Sequence, residues 1–587
     1  MLRTNGTKKL LCQVWRLTKS YWQSEEKKKA YLLLAAILAL TLAVVFMLVL
    51  LNQWNNAFYT ALQNYQTDEI FHQLWRFTGL AFAYIVLAVY AYYLQQVLLL
   101  HWRRWLTNQY IDRWLTGKIY YRLEMFGKEM DNPDQRISED VDLFVTQTLG
   151  FFIGIVKALC TLVSFVVILW QLSGAFSVQL FGQSFHIPGY MVWVAVAYAV
   201  LGTYLTHRVG HKLVDLNFLQ QRREADFRFS MMRMRENAES VAFYDGEKVE
   251  GQVFKKRFAL LLKNFWAIVQ KQKQLVWLNS GYSQIAIIFP FVVAIPRFLS
   301  RELTLGGLMQ VATAFGRVQD SLSYFVDMYT SLAEWQAVVT RLTGFEEDMA
   351  AMRTTNSQSH MQREQSQDGN VHLDHLEVDL PNGKVLLQPM DFVLTKGQNV
   401  LIKGSSGSGK STLLRALAGI WPFAKGRLAL PLQDRILFIP QRPYLPLGTL
   451  RDALLYPGKK EFTDATLQQA LDKCKVGYLG VHLHEEGDWS HVFSIGEQQR
   501  LAFARAYLMQ PEWLFMDEST SALDEATEAA LYQLLTEEMR QTTVVSVGHR
   551  STLKRYHPQT LLLDRQTHQA SLRANGDNEE DLERGVS

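Results

Sequence analysis

The hydrophobic pattern divides this chain of 587 residues into two unlike stretches. Through roughly the first 350 residues, apolar side chains gather in long unbroken runs. Tyr31 to Leu51 holds 21 residues without a charge, enough for a helix to cross about 30 Å of hydrocarbon. Similar runs lie near Phe77–Leu100, Leu149–Trp170, Tyr190–Thr206 and Val276–Ile295. A sixth, roughly Leu305–Tyr329, carries Arg317 and Asp320, spaced to share one helix face. Beyond Val371 the runs shorten and alternate with helical patterns, which predicts an α/β domain with a largely parallel sheet. The stretch 351–370 between the two is polar, Gln/Ser-rich and without periodicity. The pattern therefore predicts a six-helix membrane domain over 1–350, a linker over 351–370, an α/β domain over 371–575 and a disordered tail over 576–587.

Composition changes this picture little, and charge orients it. The mean hydropathy of −0.04 averages a very apolar half with a polar one. A net charge of +4 is too small to argue for a nucleic-acid partner. Cys12, Cys160 and Cys474 lie far apart, which excludes a disulfide scaffold or zinc module and suits reducing surroundings. Eight Lys/Arg precede the first run, seven lie in 101–148 and fourteen in 208–275, whereas 171–189 holds none. The positive-inside rule then puts both termini, the two long connections and the α/β domain on the cytoplasmic side. No cleavable signal peptide is expected. Both long connections read as helical extensions, broken at Asp131-Asn132-Pro133-Asp134 and at Ser240–Glu247, with Ser138–Val141 as a helix start. Charges within spans (Lys157, Arg317, Asp320) are candidate pathway residues, with snorkelling the other reading for Lys157.

The candidate chemistry centres on Gly404-Ser405-Ser406-Gly407-Ser408-Gly409-Lys410-Ser411, followed by Thr412. An apolar strand (Asn399–Ile402) precedes it and a helical pattern follows. Glycines allow successive backbone N–H groups to turn toward one anion, and the new helix adds its positive end. Lys410 is placed to reach the β/γ-phosphates and the Ser411 hydroxyl to ligate Mg²⁺, so ATP and Mg²⁺ are the expected cofactors. Downstream, Glu512–Glu518 is an apolar strand ending in two carboxylates: Asp517 for the Mg²⁺ shell, Glu518 to polarise the attacking water. Gln441 is placed to touch Mg²⁺ and the water, and His549, at the end of another strand, to contact the γ-phosphate. Ser494 and Gly496 open a further helix and offer a second phosphate site, best used across a dimer. Glu497 and, within Ser521–Asp524, Asp524 complete the candidate nucleotide contacts.

This set, in this order and spacing, resembles the ATP-binding-cassette proteins over 371–565. With six spans in front, the chain looks like an exporter-type half-transporter, a helical membrane domain fused to a P-loop nucleotide-binding domain. More narrowly, Asp131–Arg136 and Gly419-Ile420-Trp421-Pro422 resemble the group joining peroxisomal acyl-CoA (ABCD) transporters to the SbmA/BacA-like bacterial proteins. The resemblance implies homodimerisation, two ATP molecules between the cassettes, alternating access, and a bacterial inner membrane with its lipid around the spans. It also implies a bulky hydrophilic or amphipathic cargo: a peptide, a cobalamin-like compound or a fatty-acyl compound. A membrane ATPase that regulates a partner without moving solute is the alternative. Two departures stand out. Phe493, Ile495 and Glu497 replace the usual Leu, first Gly and Gln of the signature, and no aromatic residue lies between Val371 and Asp391 to stack on adenine.

Overall fold

The computed structural model describes residues 2–126, 132–180, 183–357, 361–432, 435–458 and 460–575. The expected tail at 576–587 and Asp131 lie outside the described residues. Helical segments follow one another as α1 (Leu2–Trp22), α2 (Lys27–Gln63), α3 (Thr67–Leu115), α4 (Ile119–Phe126), α5 (Pro133–Gln135), α6 (Val141–Ser173), α7 (Tyr190–Glu236), α8 (Ala238–Phe243), α9 (Glu247–Leu299) and α10 (Leu305–Ser357). A hairpin of β1 (Ala175–Leu180) and β2 (Gln183–Pro188) joins α6 to α7. Two compact units result: residues 1–113 with 131–347, and 114–130 with 348–587.

In the first unit, long apolar stretches become helices because only a helix satisfies every backbone polar group within its own segment in hydrocarbon. Among the described residues, five helices are long and apolar enough to cross a membrane: Lys27–Gln63, Thr67–Met125, Pro133–Ser173, Tyr190–Glu236 and Glu247–Leu299. The expected sixth run lies inside the continuous helix α10 but does not reach that apolarity, since Gln310, Arg317, Gln319 and Asp320 dilute it. Polar residues there are used between helices. Asn52 Nδ2 donates to Gln310 O (3.1 Å) and Asn56 Nδ2 to Gln310 Oε1 (2.7 Å), tying α2 to α10. Gly306 permits that approach, since a Cβ there would stand 2.0 Å from Asn56 O. Among the described residues the long connections are helical, the second broken after Glu236 and around Asp245. The helix expected to start at Ser138 begins instead at Pro133, and Arg136–Asp140 form a π turn. Buried Asp140 there pairs with Arg136 and accepts from Arg341 Nε (2.9 Å) and Nη2 (2.6 Å).

The second unit contains β3 (Met361–Gln365), β4 (Val371–Asp379), β5 (Val385–Leu394), β6 (Val400–Gly404), α11 (Lys410–Leu417), β7 (Ala424–Leu430), β8 (Ile436–Ile439), β9 (Gly448–Thr449), α12 (Leu450–Leu455), α13 (Asp464–Lys473), β10 (Glu486–Gly487), α14 (Trp489–Val492), α15 (Ile495–Met509), β11 (Trp513–Asp517), α16 (Glu525–Glu537), β12 (Thr543–Val547), β13 (Gln559–Leu563) and β14 (Ala570–Ala574). A six-stranded sheet runs β14-β13-β6-β12-β11-β8, parallel except for β14. A four-stranded sheet, β3-β7-β4-β5, lies beside it in the chain's order of pairing. Strands β6, β11 and β12 read as near-continuous apolar runs because both faces are buried. Their shared direction brings Gly404, Asp517 and Val547 to one edge, where ligands of parallel sheets bind.

The linker expectation is corrected here. Residues 351–357 continue α10, and Met361–Gln365 forms an edge strand parallel to β7. An edge strand buries little, so its polar composition hides it from a pattern of apolar periodicity. The segment 114–130, expected within a 1–350 membrane domain, belongs to the nucleotide-binding unit, and the second break falls at 347/348. Gly117, at φ 66°, turns the chain there, Ile119 is buried, and Arg122 Nη1 donates to Met352 O (3.4 Å).

Candidate functional site

The loop Gly404–Gly409 takes its shape from three glycines. Gly407 (φ 81°) and Gly409 (φ 97°) adopt backbone that other residues rarely enter. A Cβ at Gly404 would sit 2.5 Å from both Leu563 O and Ser408 Oγ. Lys410 then opens α11 and folds its side chain across the loop, donating to Gly404 O (2.9 Å) and Ser405 O (3.1 Å). Burial pushes the Lys410 pKa down, against the pull of Glu518 and Asp517. Ser408 Oγ is buried without a partner, and Thr412 continues the first turn of α11. Backbone N–H groups, a helix start and a cation thus surround one anion-sized place, and the residues fit a nucleotide phosphate.

Ser411 Oγ donates to Asp517 Oδ1 (3.0 Å), bringing two of the three expected metal ligands together. Burial pushes the Asp517 pKa up, the Ser411 hydrogen bond lowers it, and the neighbouring Glu518 raises it again. A hard divalent cation would relieve that desolvated carboxylate, and this hydroxyl–carboxylate pair suits Mg²⁺. Glu518 sits at φ 47°, a left-handed conformation uncommon for a non-glycine residue, with its N–H bonded to Val547 O (3.1 Å). Its carboxylate is held from two sides. Gln441 Nε2 donates to Oε2 (3.1 Å), and His549 Nε2, when it carries its hydrogen, donates to Oε1 (3.0 Å). Gln441, expected at Mg²⁺ and the water, and His549, expected at the γ-phosphate, thus both meet the Glu518 carboxylate here.

The second helix start is differently built. Ser494 caps α15: its Oγ accepts from Glu497 N (3.3 Å), and Glu497 Oε2 accepts from Ser494 N (2.9 Å) and Oγ (2.8 Å). Tyr478 OH bonds the other oxygen of Glu497. Glu497 was expected among the nucleotide contacts, but its carboxylate is spent inside its own helix start. Asp524 similarly caps α16, accepting from Thr527 N and Oγ1 (both 2.8 Å). No hydrogen bond joins Ser494, Gly496 or Asp524 to Gly404–Ser411 among the described residues.

Several functional residues escaped the motif reading. Gln499 Nε2 donates to Gln441 O (3.1 Å), and its Oε1 accepts from Ala522 N (3.1 Å), fastening α15 to both the Gln441 and Asp524 loops. Buried Glu528 accepts from Thr520 Oγ1 and Arg550 Nη1 (3.3 Å), while Arg550 Nη2 donates to Leu523 O (2.7 Å). This pair backs a cavity of about 220 Å³ beside Glu518 and His549. The available signals were slight: a wholly polar run, Glu497–Arg500, on a helix whose remaining residues are apolar apart from Gly496, Arg505 and Tyr507, and a cation directly after His549. Trp421 lies in the core, its Nε1 donating to Asp379 O (2.9 Å), so it is no platform for adenine.

The family described as "ABC transporter transmembrane region 2" matches residues 17–299, and the one described as "ABC transporter" matches 387–521. An uncharacterized ABC transporter ATP-binding protein of Haemophilus influenzae is 36% identical over 552 residues, covering 94% of this chain and 92% of that protein. The chain belongs to the ABC transporters. This transporter is also 34% identical to the inner membrane ABC transporter ATP-binding protein YddA of Escherichia coli, over 92% of this chain and 94% of that one. It is 32% identical to the chloroplastic ABC transporter D family member 2 of Arabidopsis thaliana, over 95% of this chain and 87% of the relative. As an ABC transporter it binds ATP and hydrolyses it, and its apolar helices form a membrane region fused to the nucleotide-binding domain.

Proposed function

We propose that the chain is a half-transporter working as a homodimer, with α10 supplying the sixth span and both termini cytoplasmic in a bacterial inner membrane. Lys410 and the N–H groups of 404–412 hold the β/γ-phosphates, releasing Gly404 O and Ser405 O as the phosphate arrives. Ser411, Asp517 and Gln441 hold Mg²⁺, which when bound neutralises charge on the phosphoryl oxygens. Glu518 orients and polarises water, and Gln441 and His549 fix its carboxylate. Ser494 and Gly496 of each protomer serve the nucleotide of the other, since within one protomer they bond nothing in the phosphate loop. Closure and reopening of the cassettes then alternate access to a bulky hydrophilic or amphipathic solute, in the SbmA/BacA-like manner of a peptide, cobalamin-like or fatty-acyl cargo.

The observation that carries this reading is the clamp on Glu518 beside the Ser411–Asp517 pair. The test is co-assembly of a Ser494→Ala chain with a Glu518→Gln chain. Sharing across the dimer leaves one site with both groups intact, so the mixed dimer hydrolyses ATP faster than either parent. Activity no higher than the parents rules out the shared site. Stimulation by one class in a panel of peptides, cobalamin and acyl-CoA then narrows the cargo; solute uptake absent from sealed vesicles despite hydrolysis would favour a regulatory ATPase.

A further inference from the structure

Helix α1 presents two faces. Leu17 and Tyr21 are buried, Tyr21 stacking on Trp102 of α3 with ring centroids 5.5 Å apart. Arg16 fixes the helix to α10 through Glu346 (3.6 Å) and Glu347 (3.3 Å). The adjoining face carries Leu11, Trp15 and Thr18 at helical spacing. Together with Leu34 of α2, Trp102 of α3 and Phe152 of α6 it walls a cavity of about 440 Å³. Leu11 and Trp15 are 60% and 66% exposed, so a large apolar surface stands open at the cavity's side.

One cation stands among the apolar residues that line the cavity, Lys19. Trp102 is 1% exposed and its Nε1 has no hydrogen-bond partner, and Thr18 Oγ1 is buried without one as well. Both atoms are closed off from the cavity itself, so the lining that a ligand would meet is apolar apart from Lys19 and its polar neighbours. At the mouth stands Lys19, and the Lys27-Lys28-Lys29 run opens α2. The nearby acid Glu26 is already taken by Arg104 (2.8 Å) and His101 (3.6 Å), and Asp142 by Arg103 (3.2 Å). Glu25 is the remaining carboxylate of that connection, and the local balance is positive.

We propose that this cavity holds an acyl chain of an anionic phospholipid from the leaflet on the N-terminal side. The chain lies against Leu11, Trp15, Leu34 and Phe152, and its phosphate meets Lys19 and the lysine run that opens α2. An apolar slot open at one side and cations beside it match the acyl chain and the anionic headgroup of such a lipid. Occupancy would fasten α1 to α2, α3 and α6.

The experiment is native mass spectrometry of the full-length protein extracted from vesicles of mixed phosphatidylglycerol and phosphatidylcholine. Wild type retains phosphatidylglycerol at least about fivefold over phosphatidylcholine, the selectivity expected of one or two lysines at the headgroup. Thr18→Trp, which fills the slot, loses the retained lipid while ATP hydrolysis persists. Lys19→Glu keeps lipid but loses the preference. Equal retention of the two lipids by wild type, or undiminished phosphatidylglycerol on an active Thr18→Trp protein, overturns the proposal. Should Thr18→Trp lose ATP hydrolysis as well, Lys19→Glu decides alone: an unchanged preference sinks the idea and a lost one sustains it.

Discussion

Two helices of the nucleotide-binding domain, α11 and α15, begin with the same small, hydroxyl-rich chemistry and end up in opposite states. At α11 the glycines hold the preceding loop open, and the Lys410 ammonium bridges two of its carbonyls. At α15 the Ser494–Glu497 box closes the helix start on itself, and Tyr478 seals the outer oxygen. One start is a cradle open within its own protomer; the other is capped by its own Ser494 and Glu497 and, in the proposed function, meets only the nucleotide of the other protomer. A serine at a helix N-terminus is therefore not by itself a phosphate cradle, because the side chain three residues on decides how many of the first N–H groups stay free. Between the two runs a buried scaffold, in which Gln499, Glu528 and Arg550 tie α15, α16 and the end of β12 together.

The comparison breaks most visibly at the open site. Glu518→Gln keeps ATP bound but lowers its turnover about 10³-fold, the range of a lost general base; single-turnover hydrolysis beside nucleotide binding measures both, and an active variant would remove Glu518 from its role. Next comes the scaffold. Glu528→Ala strands the Arg550 guanidinium and the Thr520 hydroxyl, costing about 3 kcal/mol, read as a lower midpoint of thermal unfolding. A shift within the error of wild type would mean the pair merely decorates the cavity.

A pH effect of similar size is expected below β12. His557 is buried, bonded through Nε2 to Ser546 Oγ (2.9 Å) and through Nδ1 to Leu553 O (2.9 Å), and burial pushes its pKa down to about 4. The folded state thus keeps it neutral, while the unfolded chain takes a proton near pH 6.5. Stability contributed at neutral pH is lost as pH falls from about 6.5 toward 4, by up to about 3 kcal/mol. Unfolding midpoints over that window should slope for wild type and flatten for His557→Gln. The smallest effect belongs to the closed helix start. Glu497→Ala removes half of the capping box and costs about 1 kcal/mol, with ATP binding to the Gly404–Ser411 loop unchanged. Weakened binding in that variant would return Glu497 to the nucleotide contacts.

The spans and the cradle were legible because each is written in contiguous residues. Tyr31–Leu51 is uncharged from end to end, and Gly404–Ser411 carries its glycines, lysine and serine in one loop. The residues that shape the chemistry around them were not, because their partners lie far off in the chain. Ser411 meets Asp517 across 106 positions, and Gln441 meets Glu518 across 77. Membrane helices, phosphate loop and strand-ending carboxylates were thus determined by sequence alone, through local periodicity, backbone freedom and charge. Tertiary structure decided what each group is free to do: Glu497 is consumed in a cap, Glu518 is clamped from two sides, the 114–130 segment joins the nucleotide-binding unit, and α1 leaves one apolar face open. The physical reason is that availability of a donor or a surface depends on what packs against it, and packing is set by folds of the chain that no local pattern records.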